Sequence, residues 1–338
     1  MISRVAESCF WLNRYVERVE VLSRLLSVNL AFQLDVAMPD AKRWLPLVVV
    51  AGQDEDFAKR TEESRLDDAE VVQEYLTWNG ENPASLLFSL RAARENARTI
   101  RETISLEMWE VLNDLWIWMG EPAAKRLYRS DRQAFYLQLR NQCLLFHGVA
   151  SATMLHEDPF EFMRLGTALE RAGQSARVLD VKFHTIGPTA SAVESPLEAA
   201  QWIATLRSCS GAEPFVKRAD RILSGRSVAD FILFDRTFPR SVLHNLLRAK
   251  NFLGLVRPSP TAAVGSKTHA LLDAILVELE SLDIDDVLAR GLHDTLTWLV
   301  ESTAGVCESV RVEFFDAVIP AARPAAGASQ SQSQTQSG

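Results

Sequence analysis

Arg14-Tyr15-Val16-Glu17-Arg18-Val19-Glu20 and, 153 residues on, Thr167-Ala168-Leu169-Glu170-Arg171-Ala172-Gly173 are two spellings of one segment. The correspondence runs outward in both directions. Arg24-Leu25-Leu26 returns as Arg177-Val178-Leu179, and Trp44 as Trp202. Phe57-Ala58-Lys59-Arg60 returns as Phe215-Val216-Lys217-Arg218, Pro83-Ala84-Ser85-Leu86-Leu87 as Pro239-Arg240-Ser241-Val242-Leu243, and Gly148-Val149 as Gly305-Val306. The matches keep one order and the offset drifts only between 153 and 158, as small loop insertions would cause. A period of that length describes a duplicated unit of domain size. The expected organisation is therefore a first unit over 1–157, a second over 158–318, and a tail over 319–338.

Both units read as helical. Trp11, Leu12, Tyr15, Val16, Val19, Leu22 and Leu26 form one broad stripe at about 100° per residue. Residues 84–113 read as one long helix or two joined, opened by Asn82-Pro83, and 131–154 as another. Breaks fall at Gly120-Glu121-Pro122, Gly187-Pro188, Ser195-Pro196, Ser224-Gly225 and Pro258-Ser259-Pro260. Strand alternation is nowhere sustained, so the predicted class is all-α. The last residues run Ser-Gln-Ser-Gln-Ser-Gln-Thr-Gln-Ser-Gly; with nothing apolar to bury, that tail is expected to be disordered.

The 338 residues carry 36 basic and 44 acidic side chains, a net charge of −8. No broad basic field exists to hold nucleic acid or an anionic membrane. The four cysteines, Cys9, Cys143, Cys209 and Cys307, are scattered and form no metal-binding spacing. No apolar run approaches the roughly 20 residues of a membrane span, and the start Met1-Ile2-Ser3-Arg4-Val5-Ala6-Glu7 does not read as a signal peptide. A cytoplasmic location is the expectation. The histidines at 147, 156, 184, 244, 269 and 293 form no HExxH, and neither phosphate-cradling glycine loops nor a GxSxG elbow occur. Neither a cofactor nor a metal is predicted.

What remains is charge. Arg14, Glu17, Glu20 and Arg24 are spaced to share one helical face, opposite the apolar stripe. Taken alone this would be a solvated face with ion pairs worth about 0.3–0.5 kcal/mol each. Yet Glu17/Glu170, Arg18/Arg171 and Arg24/Arg177 are the same in both copies, while apolar positions such as Leu22 and Ser175 differ. Charges in water are cheap to exchange; charges kept through divergence point to a partly buried network. The copies also differ: Arg14 is matched by Thr167 and Glu20 by Gly173, which makes the first unit the better candidate for a polar site. That unit holds a second dense segment, Arg94-Glu95-Asn96, Arg98, Arg101 and Glu107, in which Arg94, Arg98 and Arg101 are read onto one face.

Ser3-Arg4-Val5-Ala6-Glu7-Ser8, Trp11, Arg14-Tyr15, Glu17-Arg18, Arg24-Leu25-Leu26, Ala93-Arg94-Glu95-Asn96-Ala97-Arg98, Glu107-x-Trp109-Glu110-x-Leu112-Asn113 and Leu165-Gly166…Leu169-Glu170-Arg171-Ala172 together resemble the bacterial alpha-E domain family. The resemblance spans roughly 1–318. It implies an all-helical protein encoded near a circularly permuted ATP-grasp amide ligase, and often near a transglutaminase-like protease. It therefore implies a place in peptide formation or modification. Thr167 and Gly173 depart from the family, where an arginine and an acidic residue are common.

Three functional readings follow. The leading one is a non-catalytic partner of such a ligase, whose ladder (Arg4, Glu7, Arg14, Glu17, Arg18, Glu20, Arg24, Arg94, Glu95, Asn96, Arg98, Arg101, Glu107, Glu170, Arg171, Arg177) docks the enzyme or holds a zwitterionic substrate. The second is an enzyme using Glu17, Glu20, Glu95 or Glu107 as acid and base in amide transfer or hydrolysis. The third is a helical scaffold. A deep pocket containing these carboxylates would support the second, a ladder with every carboxylate paired to arginine would count against it, and a flat surface without pockets would favour the third.

Overall fold

A computed structural model describes residues 3–35, 44–186, 195–218, 222–256 and 263–316. Among them every regular element is helical. The first run is α1 (Ser3–Asp35), α2 (Leu45–Val50), α3 (Asp54–Arg60), α4 (Ala69–Trp78), α5 (Leu86–Thr99), α6 (Leu106–Gly120), α7 (Pro122–Ser130) and α8 (Arg132–Thr153). The second is α9 (Asp158–Ile186), α10 (Pro196–Ser208), α11 (Ala212–Val216), α12 (Gly225–Phe234), α13 (Val242–Val256), α14 (Ser266–Ser281), α15 (Ile284–Arg290) and α16 (Leu292–Val310). A π-helical turn over 311–315 follows. The breaks at Gly187-Pro188 and Pro258-Ser259-Pro260, and the Ser/Gln-rich tail, lie outside the described residues.

Local chemistry places the boundaries. The stretch read as one helix or two from 84 is two: the first ends at Thr99 and Ser105 caps the next by accepting from the Met108 amide at 3.2 Å. Arg101 consequently lies beyond α5 and cannot share a helical face with Arg94 and Arg98. Ser195 and Ser224 cap α10 and α12 with reciprocal capping boxes. Ser85 and Ser241 close the same turn 156 residues apart. Ser85 Oγ accepts from the Phe88 amide at 3.1 Å and donates to the Asn79 carbonyl; Ser241 Oγ accepts from His244 at 3.1 Å and donates to the Asp235 carbonyl.

α1 and α9 form the axis. Facing pairs keep a nearly constant difference in number: Phe10 with Gly166, Asn13 with Thr167, Glu17 with Arg171. A constant difference means the two helices run parallel. At their closest approach a Cβ on Gly166 would meet the Phe10 carbonyl oxygen at 2.4 Å, so only glycine permits that spacing. α5 and α8 flank α1; α13 and α16 flank α9; α2 leans on α9 and α10 on α1. One continuous apolar core, including Val16, Leu26, Phe135, Leu169, Phe231 and Leu299, runs through both sets of helices.

Candidate functional site

Enclosure by α5, α8, α9 and α10 turns the charged side of α1 inward, so it is not a solvated face opposite the apolar stripe. Glu17 and Glu20 expose 0% of their surface and Glu170 exposes 5%. Along α1 the charged side chains pair with one another only at Glu20 and Arg24. Instead the two Glu-Arg dipeptides cross. Arg171 donates to Glu17 through both Nε and a terminal nitrogen, at 2.8 and 2.7 Å. Arg18 does the same for Glu170, at 2.8 and 3.1 Å. Fork-to-carboxylate pairing of this kind is the strongest ion-pair geometry side chains offer.

Each glutamate has further donors. Glu170 accepts from Arg14 Nε at 2.9 Å and Gln174 at 3.0 Å. Glu17 accepts from Arg240 at 3.0 Å, and His147 Nε2 lies 3.3 Å from its other oxygen, outside hydrogen-bond geometry. Arg240 bridges onward to Glu20 at 2.7 Å, where Arg24 also binds. Burial alone would raise the glutamate pKa values. The guanidinium groups of Arg171 and Arg240 reverse this at Glu17, and those of Arg18 and Arg14 at Glu170, holding both well below the ordinary carboxylate value. These two carboxylates stay ionised and saturated with donors, which removes them as general acids or bases near neutrality.

The two sides of the α1–α9 seam are filled differently. On one side Glu20, Arg240 and His147 crowd around Glu17. On the other a cavity of about 250 Å³ opens beside Glu170, and its walls include Gly173, Ala84 and Ala304. In the sequence correspondence these three occupy the places of Glu20, Arg240 and His147. The polar wall is Arg14, Arg18, Arg177, Gln174 and Glu170, and the rest is largely aliphatic. Arg177, half-buried, donates to the Val50 carbonyl at the end of α2 at 2.8 Å, and no carboxylate among the described residues pairs with it. Burial, with Arg18 nearby, pushes its pKa below the usual arginine value despite the nearby charges of Glu170 and Asp180. Cys307 also lines the cavity, but burial raises its thiol pKa, the reverse of nucleophile activation. A second cavity of about 560 Å³ lies at the far end of α1, between Arg24, Arg140, Arg207 and Glu213.

The other expected site residues are elsewhere. Arg4 is exposed and Glu7 half-buried at the start of α1. Arg94 donates to Asn113 at 3.0 Å and to Glu95 at 3.1 Å, Arg98 donates to Glu95, and Arg101 stacks over Trp109 at 4.3 Å. Asn96 donates to the Ala92 carbonyl of its own helix, and Glu107 is exposed. This second cluster ties α5 to α6 and supplies nothing to the seam. Two seam residues, Arg240 and His147, were not among the expected set. Their only sequence signal was their mismatch with Ala84 and Ala304. Among the described residues no three His, Cys, Asp or Glu side chains gather as a metal site, and no helix is long and apolar enough to cross a membrane.

Comparison with known proteins points to one family. The chain is 25% identical over 329 residues to uncharacterized proteins of Mycobacterium bovis and of Mycobacterium tuberculosis strains CDC 1551 and H37Rv. That alignment covers 91% of this chain but 36% of each relative, so the chain spans about a third of their length. No solved structure matches. Residues 1–315 match a family profile, Alpha-E, described as a predicted alpha-helical domain with a conserved ER motif. Glu17-Arg18 and Glu170-Arg171 are the Glu-Arg dipeptides of this sequence, and with the profile running the length of all sixteen helices, the chain belongs to the Alpha-E family.

Proposed function

We propose that this protein holds a small substrate for a peptide- or amide-forming ligase and carries out no bond chemistry itself. The observation that carries this reading is the saturation of Glu17, Glu20 and Glu170 by arginine, directly beside a cavity into which more guanidinium than carboxylate faces. Glu17 and Glu170, held ionised by their arginines, do not exchange protons near pH 7. That counts against the reading in which Glu17 drives amide transfer. The cavity in turn counts against a purely structural scaffold, which needs no internal space. Because the ladder is internal, docking of a ligase would use the outer surface, and the charged groups would serve the cavity.

The ligase is the circularly permuted ATP-grasp enzyme to which the family resemblance points, with a transglutaminase-like protein as a second partner. Co-purification from a host producing the chain with the neighbouring ligase tests this. A complex, or ligase turnover that rises when the protein is added, is expected. Absence of a complex together with unchanged turnover overturns the reading, and so does amide hydrolysis by the purified protein alone.

A further inference from the structure

Around Glu20 the structure shows how this fold satisfies a buried arginine. The Glu20 carboxylate sits between Arg24 and Arg240, and both guanidinium groups reach it. Arg177 stands where Arg24 stands in the sequence correspondence, but its partner position is Gly173 and the second guanidinium is replaced by Ala84. Among the described residues the result is an arginine that no carboxylate pairs with directly, Glu170 and Asp180 acting on it only through their charge, opening on a cavity where the carboxylate would have been. A Cβ on Gly173 would meet only the Thr303 methyl group, at 4.0 Å, so the space beside the helix is unfilled.

Charge selects the ligand class. The cavity wall holds three guanidinium groups, from Arg14, Arg18 and Arg177, against the single carboxylate of Glu170. Arg14 and Arg18 already bind Glu170, which leaves Arg177 as the group facing an unmatched position. A fixed guanidinium fork is suited to a carboxylate or a phosphate. The remainder of the wall, including Val21, Leu25, Leu47 and Val300, is apolar and suits a short hydrocarbon body. At about 250 Å³ the space falls below the roughly 300–1,000 Å³ of larger ligand sites.

We propose that this cavity binds a small carboxylic acid whose acid group takes, beside Arg177, the place that the Glu20 side chain takes beside Arg24. The ligand completes in trans the ion pair that one side of the seam makes from its own chain. This deepens the substrate-holding reading by naming the site and ligand class, and its test needs no ligase, so the two can fail separately.

Gly173→Glu supplies the missing carboxylate from the chain itself and serves as the test. The purified full chain is titrated calorimetrically with succinate, L-glutamate and valerate, with succinamide, L-glutamine and valeramide as neutral counterparts and inorganic phosphate as the alternative anion. At least one acid is expected to bind while its amide does not. Arg177→Gln should weaken that binding at least tenfold, and G173E should abolish it while raising the melting temperature. Arg140→Ala, in the other cavity, should leave it unchanged. The proposal is overturned if no acid binds the folded wild type, if G173E folds and binds as wild type does, or if R140A rather than R177Q removes binding. Preference for phosphate over every acid overturns the carboxylate assignment. Should G173E not fold, R177Q against R140A decides alone.

Discussion

Arg171 of α9 grips Glu17 of α1 with two parallel hydrogen bonds, at 2.8 and 2.7 Å, while the residue after Glu17, Arg18, grips the one before Arg171. Two adjacent dipeptides thus exchange partners across the seam. The pattern can form only with α1 and α9 parallel and in one register, because a slip of one residue would place like charges together. Buried pairs add little net stability over well-packed apolar residues, but breaking one leaves an uncompensated charge inside.

Truncating one member should therefore be severe. Glu17→Ala is expected to cost about 3–5 kcal/mol in urea denaturation, since Arg171 loses its acceptor and Arg240 keeps only Glu20. Arg171→Leu alone should also be costly. The double change Glu17→Leu with Arg171→Leu should cost less than the two single changes added, by about 1–3 kcal/mol of coupling. Strict additivity in that cycle would mean the pair is not energetically connected.

Gly166 offers a test of the axis independent of charge. A methyl group there meets the Phe10 carbonyl oxygen at 2.4 Å, and Arg14 lies at 3.2 Å on the same side. Gly166→Ala must push the helices apart and is expected to destabilise by about 1–3 kcal/mol, against the usual gain from alanine in a helix. Gly148, whose Cβ would meet nothing within 4 Å, is the control in which alanine should stabilise. Equal effects at both positions would rule out the close approach.

How far the sequence carried this description follows from where each signal is stored. Helical class and most helix ends were readable, because caps such as Ser195 and Ser224 and the break at Gly120-Glu121-Pro122 are local. Burial of Glu17 and Glu170 was readable from the recurrence of the Glu-Arg dipeptide along the sequence. Partner choice was not. Spacing along α1 suggests Arg14 with Glu17, yet Arg14 binds Glu170, and only the packing of α1 on α9 decides that. The cavity was hidden for a related reason. Loss of charge at Thr167 and Gly173 pointed toward the first unit as the site, whereas small residues at Gly173, Ala84 and Ala304 are what leave room.

The buried thiols should be inert while the fold holds. Burial raises Cys9 and Cys209 to about 12 and Cys143 and Cys307 above the ordinary thiol value, so little thiolate exists at neutral pH. With all four buried, a disulfide reagent should react at the rate of unfolding and become fast only in denaturant. One thiol reacting at the rate of a free model thiol in native buffer would contradict this, and Cys307 is the informative one because it lines the cavity.

Acid should loosen the seam in a definite direction. Glu17 and Glu170 have folded pKa values held below the ordinary 4.5 by their arginines. A depressed folded pKa means the unfolded state binds the proton more readily. Stability from these groups is therefore complete above the unfolded value and is lost as pH falls toward the folded values. The arginines stay charged throughout, so protonating either glutamate leaves buried cations without an acceptor. Urea midpoints measured from about pH 6 down to about pH 3 should fall steeply below about pH 4.5. Glu170→Gln, although less stable at pH 6, should show a shallower fall because one of the linked protons is gone. An acid limb of unchanged slope in that variant would mean Glu170 is not depressed and that Arg14 and Arg18 do not hold it as the geometry implies.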